Sequence, residues 1–218
     1  GEHRAFAKNV SLRKENCMVL ENKLHLTDST ELARQEEKIS KQKAAEMFET
    51  GFLDTLEVGS YDSLAAIHAY LFSEIYDFAG KVRTVNIAKG SFRFAPVMYL
   101  EASLENVSAM PQNTFEEIVE KYVEMNIAHP FREGNGRSMR IWLDVILKKE
   151  LGQVVDWSKV DKDDYLLAME RSPIRDIEIK HILRKALTQD TTNRELYMKG
   201  IDHSYYYEGY SLYRTEDL

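Results

Sequence analysis

Cysteine is nearly missing from this chain: its 218 residues hold one, Cys17, so no disulfide forms within it. A lone thiol fits a reducing compartment, and the expected location is cytoplasmic. Long apolar runs are missing too. No stretch of about 18 apolar residues occurs, so no membrane partner is expected, and no secretory leader is expected from the first residues. An excess of positive charge is also absent, with 29 Lys and Arg against 36 Asp and Glu and a net charge of −7. No basic footprint means that no nucleic-acid partner is expected, although a local pocket can still be positive. Finally, no internal repeat, low-complexity tract or Pro/Gly/Ser-rich linker divides the chain.

What remains is an ordinary globular composition, 44% hydrophobic and 30% charged, of a size that suits one domain. Residues 1–17 are basic, with four Lys or Arg against two Glu, and the chain opens on Gly1. The expectation is a vector-derived or disordered leader at 1–17, followed by a domain over 18–218.

Periodicity predicts a mostly helical fold. Asp28 with Glu31 makes a capping pattern for a helix that ends at Gly51, with Leu32, Ile39, Met47 and Phe48 as a thin apolar stripe. Asp62 to about Phe78 reads as a second helix. Val82 to Ile87 alternates, Lys89-Gly90 can turn, and Phe92-Arg93-Phe94 alternates again before Pro96, which predicts one β-hairpin. A helix follows over about 97–110. Thr114 and Glu117 form a capping box for the next one, whose Ile118, Tyr122, Met125 and His129 share a stripe. From Asn135 to Glu150 most positions are apolar, as a buried central helix requires. Lys148, Lys149 and Gly152 suit its C-terminal end. Further helices are expected at about 161–171, 175–188 and 193–207.

The chemistry concentrates in His129-Pro130-Phe131-Arg132-Glu133-Gly134-Asn135-Gly136-Arg137-Ser138-Met139-Arg140. Two glycines around an asparagine let the backbone turn and aim its N–H groups outward as a helix begins, which makes an anion site. Arg137 and Arg140 are three apart and leave that helix on one side, suited to phosphate oxygens. Glu133 is a hard carboxylate that could hold Mg²⁺ against those phosphates. His129, near 6.5 when unperturbed, could take a proton from an incoming hydroxyl. Phosphates, a metal ligand, charge clamps and a base point to phosphoryl or nucleotidyl transfer. Alone on its stripe, His129 would read as a core histidine; the surrounding motif reverses that. His68 has no motif and reads as structural, and the histidines show no zinc spacing.

This segment resembles the signature of the Fic (filamentation induced by cAMP) family, His-x-Phe-x-(Asp/Glu)-Gly-Asn-Gly-Arg-x-x-Arg, without departure. A match by composition alone is on the order of 10⁻¹⁰ per start position. The likeness runs from about Leu20 to the C-terminus, and Phe78-Ala79-Gly80-Lys81-Val82-Arg83 resembles the family's lead-in to its flap. The resemblance implies a helical bundle around a buried motif helix with one hairpin flap. It implies a protein adenylyltransferase that moves AMP from Mg-ATP to a Ser, Thr or Tyr hydroxyl. His129 would be the base and Glu133 the Mg²⁺ ligand. Gly134, Asn135 and Gly136 would form the anion nest, with Asn135 at the α-phosphate and Arg137 and Arg140 at the β- and γ-phosphates. Asn86, Ile87, Lys89, Gly90, Ser91, Phe92, Arg93 and Phe94 would form the flap that docks the target protein.

Ser204-Tyr205-Tyr206-Tyr207-Glu208-Gly209 resembles the family's inhibitory pattern, (Ser/Thr)-x-x-x-Glu-(Gly/Asn), on a helix at about 193–209. Ser204 and Glu208 share a face, and Gly209 can end the helix. The carboxylate of Glu208 would occupy Arg140. The neighbouring tyrosines are packing residues or self-modification acceptors. Rival readings are a kinase like the Doc relatives, whose loop carries lysine at the second glycine, a transferase for another phosphate-linked group, removal of AMP, and a silent nucleotide-binding module.

Overall fold

A computed structural model describes residues 19–218; the expected leader at 1–17 lies outside them, as does Met18, the first residue of the expected domain. Its eight α-helices are α1 (Ser29–Glu49), α2 (Tyr61–Phe72), α3 (Val97–Ala109), α4 (Phe115–Ala128), α5 (Asn135–Leu151), α6 (Lys162–Arg171), α7 (Ile177–Lys185) and α8 (Arg194–Tyr207). Strands β1 (Ala88–Lys89) and β2 (Phe92–Arg93) form the hairpin, and β3 (Val154–Val155) pairs antiparallel with β4 (Leu187–Thr188). Among the described residues no helix is long and apolar enough to cross a membrane.

The centre is α5. Met139, Trp142, Leu143, Ile146 and Leu147 are fully buried, each contributing roughly 1.5–3 kcal/mol from burial. Helices α2, α4 and α8 pack around it. The start signals act as read: Asp28 caps α1 through the Glu31 N–H, and Thr114 with Glu117 closes a full capping box on α4. Gly152 ends α5 in the left-handed region.

Three boundaries differ from the expectation. Helix α2 stops at Phe72 instead of running to about Phe78, because the Ile75 carbonyl accepts the Lys23 N–H at 2.7 Å and so leaves the helical register. The final residues of the expected 175–188 helix become β4, since Leu187 and Thr188 pair with Val155 and Val154. The ladder of the hairpin is short, with Ala88 opposite Arg93 and Lys89 opposite Phe92. Val82 to Ile87 stays outside that ladder. Arg83, only 3% exposed, turns inward and gives its side-chain protons to four carbonyls, those of His129, Val85, Ala95 and Ala128. Asn86 caps α3 by accepting the Val97 N–H at 2.9 Å.

Candidate active site

The motif forms the turn between α4 and α5. His129 ends α4 with φ 49° and ψ 65°, a left-handed conformation that Pro130 behind it favours over continued helix. Its Nδ1 lies 3.1 Å from the Asn126 carbonyl, so Nδ1 carries the proton and Nε2 keeps its lone pair. The ring stacks on Phe94 of the flap, centroids 3.6 Å apart. Burial pushes its pKa down to about 3, with the Asn126 bond and Glu208 opposing. The imidazole is therefore neutral at physiological pH.

The turn is held from behind. Asn135 accepts the Phe131 N–H at 2.9 Å and donates to the Phe131 carbonyl at 2.7 Å, so both ends of its amide are committed to backbone. His68 donates from Nε2 to the Glu133 carbonyl at 2.7 Å and accepts the Gly80 N–H at Nδ1. Burial pushes its pKa down to about 3 as well. Gly134 has φ 80°, and a Cβ there would sit 2.5 Å from the Phe72 ring. Both the dihedral and the space demand glycine. The result is a helix that starts at Asn135 with the N–H groups of its first turn free of carbonyl partners within the helix.

That helix start opens into a cavity of about 710 Å³, lined by His129, Glu133, Gly136, Arg140, Glu208 and the flap residues Ile87 to Phe94 except Ser91 and Arg93. Glu133 sits at its edge. Its Oε1 accepts Arg137 Nη2 and the Gly134 N–H, both at 3.1 Å, whereas Oε2 accepts nothing among the described residues. A half-exposed carboxylate with one oxygen fixed and one open fits a magnesium ion that takes its other ligands from phosphate and water. No cluster of three or more His, Cys, Asp or Glu exists among the described residues to form a full protein cage.

The two arginines part company. Arg140 donates from Nε to Ser204 Oγ at 2.7 Å and from Nη2 to the Ser204 carbonyl and Glu208 Oε1, both at 2.8 Å. Burial would raise the Glu208 pKa, but Arg140 and then Lys89 overcome it and hold it at about 2. Glu208 Oε2 also lies 3.7 Å from Lys89 Nζ on the flap. The carboxylate hangs over the helix start, where a Cβ on Gly136 would come within 2.4 Å of Oε1. An anion of the chain's own therefore stands against the anion turn. Gly209, at φ 89°, ends α8 as expected. Arg137, in contrast, is 1% exposed and turned away from Arg140, toward Glu36 of α1 at 2.5 Å.

So the structure brings His129, Glu133, the glycine turn, Arg137, Arg140, Glu208 and the flap to one cavity, with Ser204 behind it on Arg140. The sequence reading missed Glu36, Asn126 and the contact between Lys89 and Glu208. It also gave His68 and Arg83 no part in holding the turn. Nothing local in the sequence marks them, since each reaches the site across a long chain separation or through a backbone carbonyl.

With that geometry in place, comparison with known proteins is decisive for the family. Residues 59–147 match the model of the Fic/DOC family. The chain is 30% identical over 192 residues to "Protein adenylyltransferase VbhT" of Bartonella schoenbuchensis, covering 82% of this chain and 39% of that protein. It is also 30% identical over 166 residues to "Probable protein adenylyltransferase y4lH" of Sinorhizobium fredii, covering 71% and 83%. Among solved structures, the N-terminal Fic domain of a Bartonella sp. AR 15-3 effector superposes with TM-score 0.65 at 17% identity, covering 78% and 88%. BepC of Bartonella tribocorum, with bound AMPPNP, gives 0.63 at 18% identity, covering 78% and 92%. The fold is that of Fic domains. The chain belongs to the Fic/DOC family.

Proposed function

We propose that this chain transfers AMP from Mg-ATP to a Ser, Thr or Tyr hydroxyl of another protein, and that Glu208 holds the activity low. The observation that carries the reading is the neutral His129, with Nε2 free, beside an open helix start and the open oxygen of Glu133. The names of the VbhT and y4lH relatives, and the AMPPNP bound to BepC, support it. The triphosphate lies against the free N–H groups of α5, and Arg140 grips its distal end once Glu208 withdraws. Glu133 would hold Mg²⁺, which would offset phosphate charge when bound. The flap aligns the target segment. His129 Nε2 takes the proton as the target oxygen bonds to the α-phosphorus, while the bond from that phosphorus to the bridging oxygen breaks and pyrophosphate leaves.

The test is incubation with ATP labelled at the α- or γ-position, using the Glu208→Gly chain and a cell lysate. Label on protein from α-ATP alone is the expected result; γ-label would make the chain a kinase and overturn the reading. His129→Ala should lose roughly 10²–10⁴-fold in rate while still binding ATP.

A further inference from the structure

Arg137 lines the cavity beside Gly136, yet its guanidinium is committed to carboxylates of the chain itself. Its Nη1 lies 2.5 Å from Glu36 Oε1, an ion contact outside hydrogen-bond alignment. Its Nη2 reaches Glu133 Oε1 at 3.1 Å. Rings pack around it, with Phe72, Tyr205 and Tyr210 at 5.0, 5.2 and 4.6 Å from the guanidinium carbon. Glu36 is itself 2% exposed and accepts the Tyr76 hydroxyl on Oε2. Turning Arg137 toward a phosphate would strand Glu36 as a buried, unpaired charge, which is strongly unfavourable. Burial would lower the Arg137 pKa, but Glu36 together with Tyr210, Tyr205 and Glu133 more than compensates, so the guanidinium stays charged.

What Arg137 does touch is Glu133 Oε1. Oε1 is held by Arg137 and the Gly134 N–H, which restrains the carboxylate at the cavity edge and leaves Oε2 without a partner among the described residues. Glu36 in turn fixes the guanidinium. We infer that Arg137 and Glu36 are positioning residues for the metal-binding carboxylate of Glu133, and that Arg137 is not a phosphate ligand. The inference rests on the nucleotide reading above and departs from the phosphate role the motif resemblance implies. It also gives α1, about a hundred residues from the motif in sequence, a part in the metal site.

The two roles separate when ATP binding is measured without metal. The full chain carrying Glu208→Gly serves as the parent, with Glu36→Gln and Arg137→Lys added singly. Calorimetry reads ATP affinity in excess chelator, and electron paramagnetic resonance reads Mn²⁺ binding to the ATP complex. Outer-sphere partners of a metal ligand typically account for 10–100-fold in metal affinity. Both variants should therefore raise the Mn²⁺ half-saturation at least about 10-fold while metal-free ATP affinity moves less than about 3-fold. Glu36→Gln keeps the side chain's shape and decides the matter should Arg137→Lys fail to fold. A loss of metal-free ATP affinity with unchanged Mn²⁺ binding would make Arg137 a phosphate ligand and overturn the inference. No ATP binding by the parent, with or without metal, would instead remove the nucleotide reading itself, and this inference with it.

Discussion

Arg137 and Arg140 stand one helical turn apart on α5, are equally buried at 1% and 2% exposure, and are both enclosed by aromatic rings. Their counter-ions differ. Glu36 lies in the middle of α1, enclosed and tied to Tyr76. Glu208 is the residue that caps α8, its side chain 23% exposed, with Gly209 directly behind it. A guanidinium is a fixed strut or a switch according to how easily its carboxylate can leave. Withdrawing Glu208 needs only the last turn of α8 to give way, whereas withdrawing Glu36 needs the core to open.

The widest gap between the two pairs should appear in stability. Breaking a buried pair by removing one partner costs about 3–5 kcal/mol. At 2–4 °C per kcal/mol for a domain this size, Glu36→Ala should lower Tm by roughly 6–20 °C. Glu208→Gly should lower it less, because Ser204 still serves Arg140 through Oγ and its carbonyl. Calorimetry on both variants checks this, and equal shifts would erase the distinction between strut and switch.

The next effect is on rate. A charge-assisted contact of ~1–3 kcal/mol between Glu208 and Arg140 gives a gain of ~5- to 150-fold in Glu208→Gly if the contact must break before productive binding. Adding Arg140→Ala should abolish the gain, since both changes act on one contact. An activated double variant would show that Glu208 restrains the chain by another route, for which its contact with Lys89 is the candidate. Initial rates of labelling for the four chains decide it.

The contact between Arg140 and Glu208 was legible in the sequence and that between Arg137 and Glu36 was not. The motif from His129 to Arg140 and the pattern from Ser204 to Gly209 are contiguous, so spacing alone places their groups on shared faces. Glu36 sits in a helix crowded with charge, and nothing in Arg34-Gln35-Glu36-Glu37-Lys38 says that both carboxylates turn inward or that Glu36 is the one that meets Arg137. Arg83 fell in an alternating run that reads as strand, yet its guanidinium serves carbonyls and keeps that run out of the ladder. The central helix was readable because its apolar residues surround it. The early end of α2 was not, because a carbonyl taken by a distant N–H leaves no trace in periodicity.

The smallest expected effect concerns two histidines that divide in the same way. His68 lies fully buried behind the turn, and His129 is half-buried at the mouth under Phe94. Burial holds both near a pKa of about 3, against 6.5 in the unfolded chain. Below pH 6.5 the unfolded state therefore binds protons that the folded state refuses. Stability from each histidine is complete above pH 6.5 and declines as pH falls, by about 1 kcal/mol between pH 6.5 and 5.5. Asp144, which burial pushes up to about 7, works in the opposite direction, so the difference between variant and parent carries the information. Urea unfolding at pH 6.5, 6.0 and 5.5 should show that His68→Gln removes one histidine's share of the acid loss. Phe94→Ala should shrink the other share, because His129 regains solvent while His68, out of contact with Phe94, is unchanged. An acid slope in Phe94→Ala identical to the parent's would mean that the flap does not cover His129 in solution, and that the mouth of the site is already open.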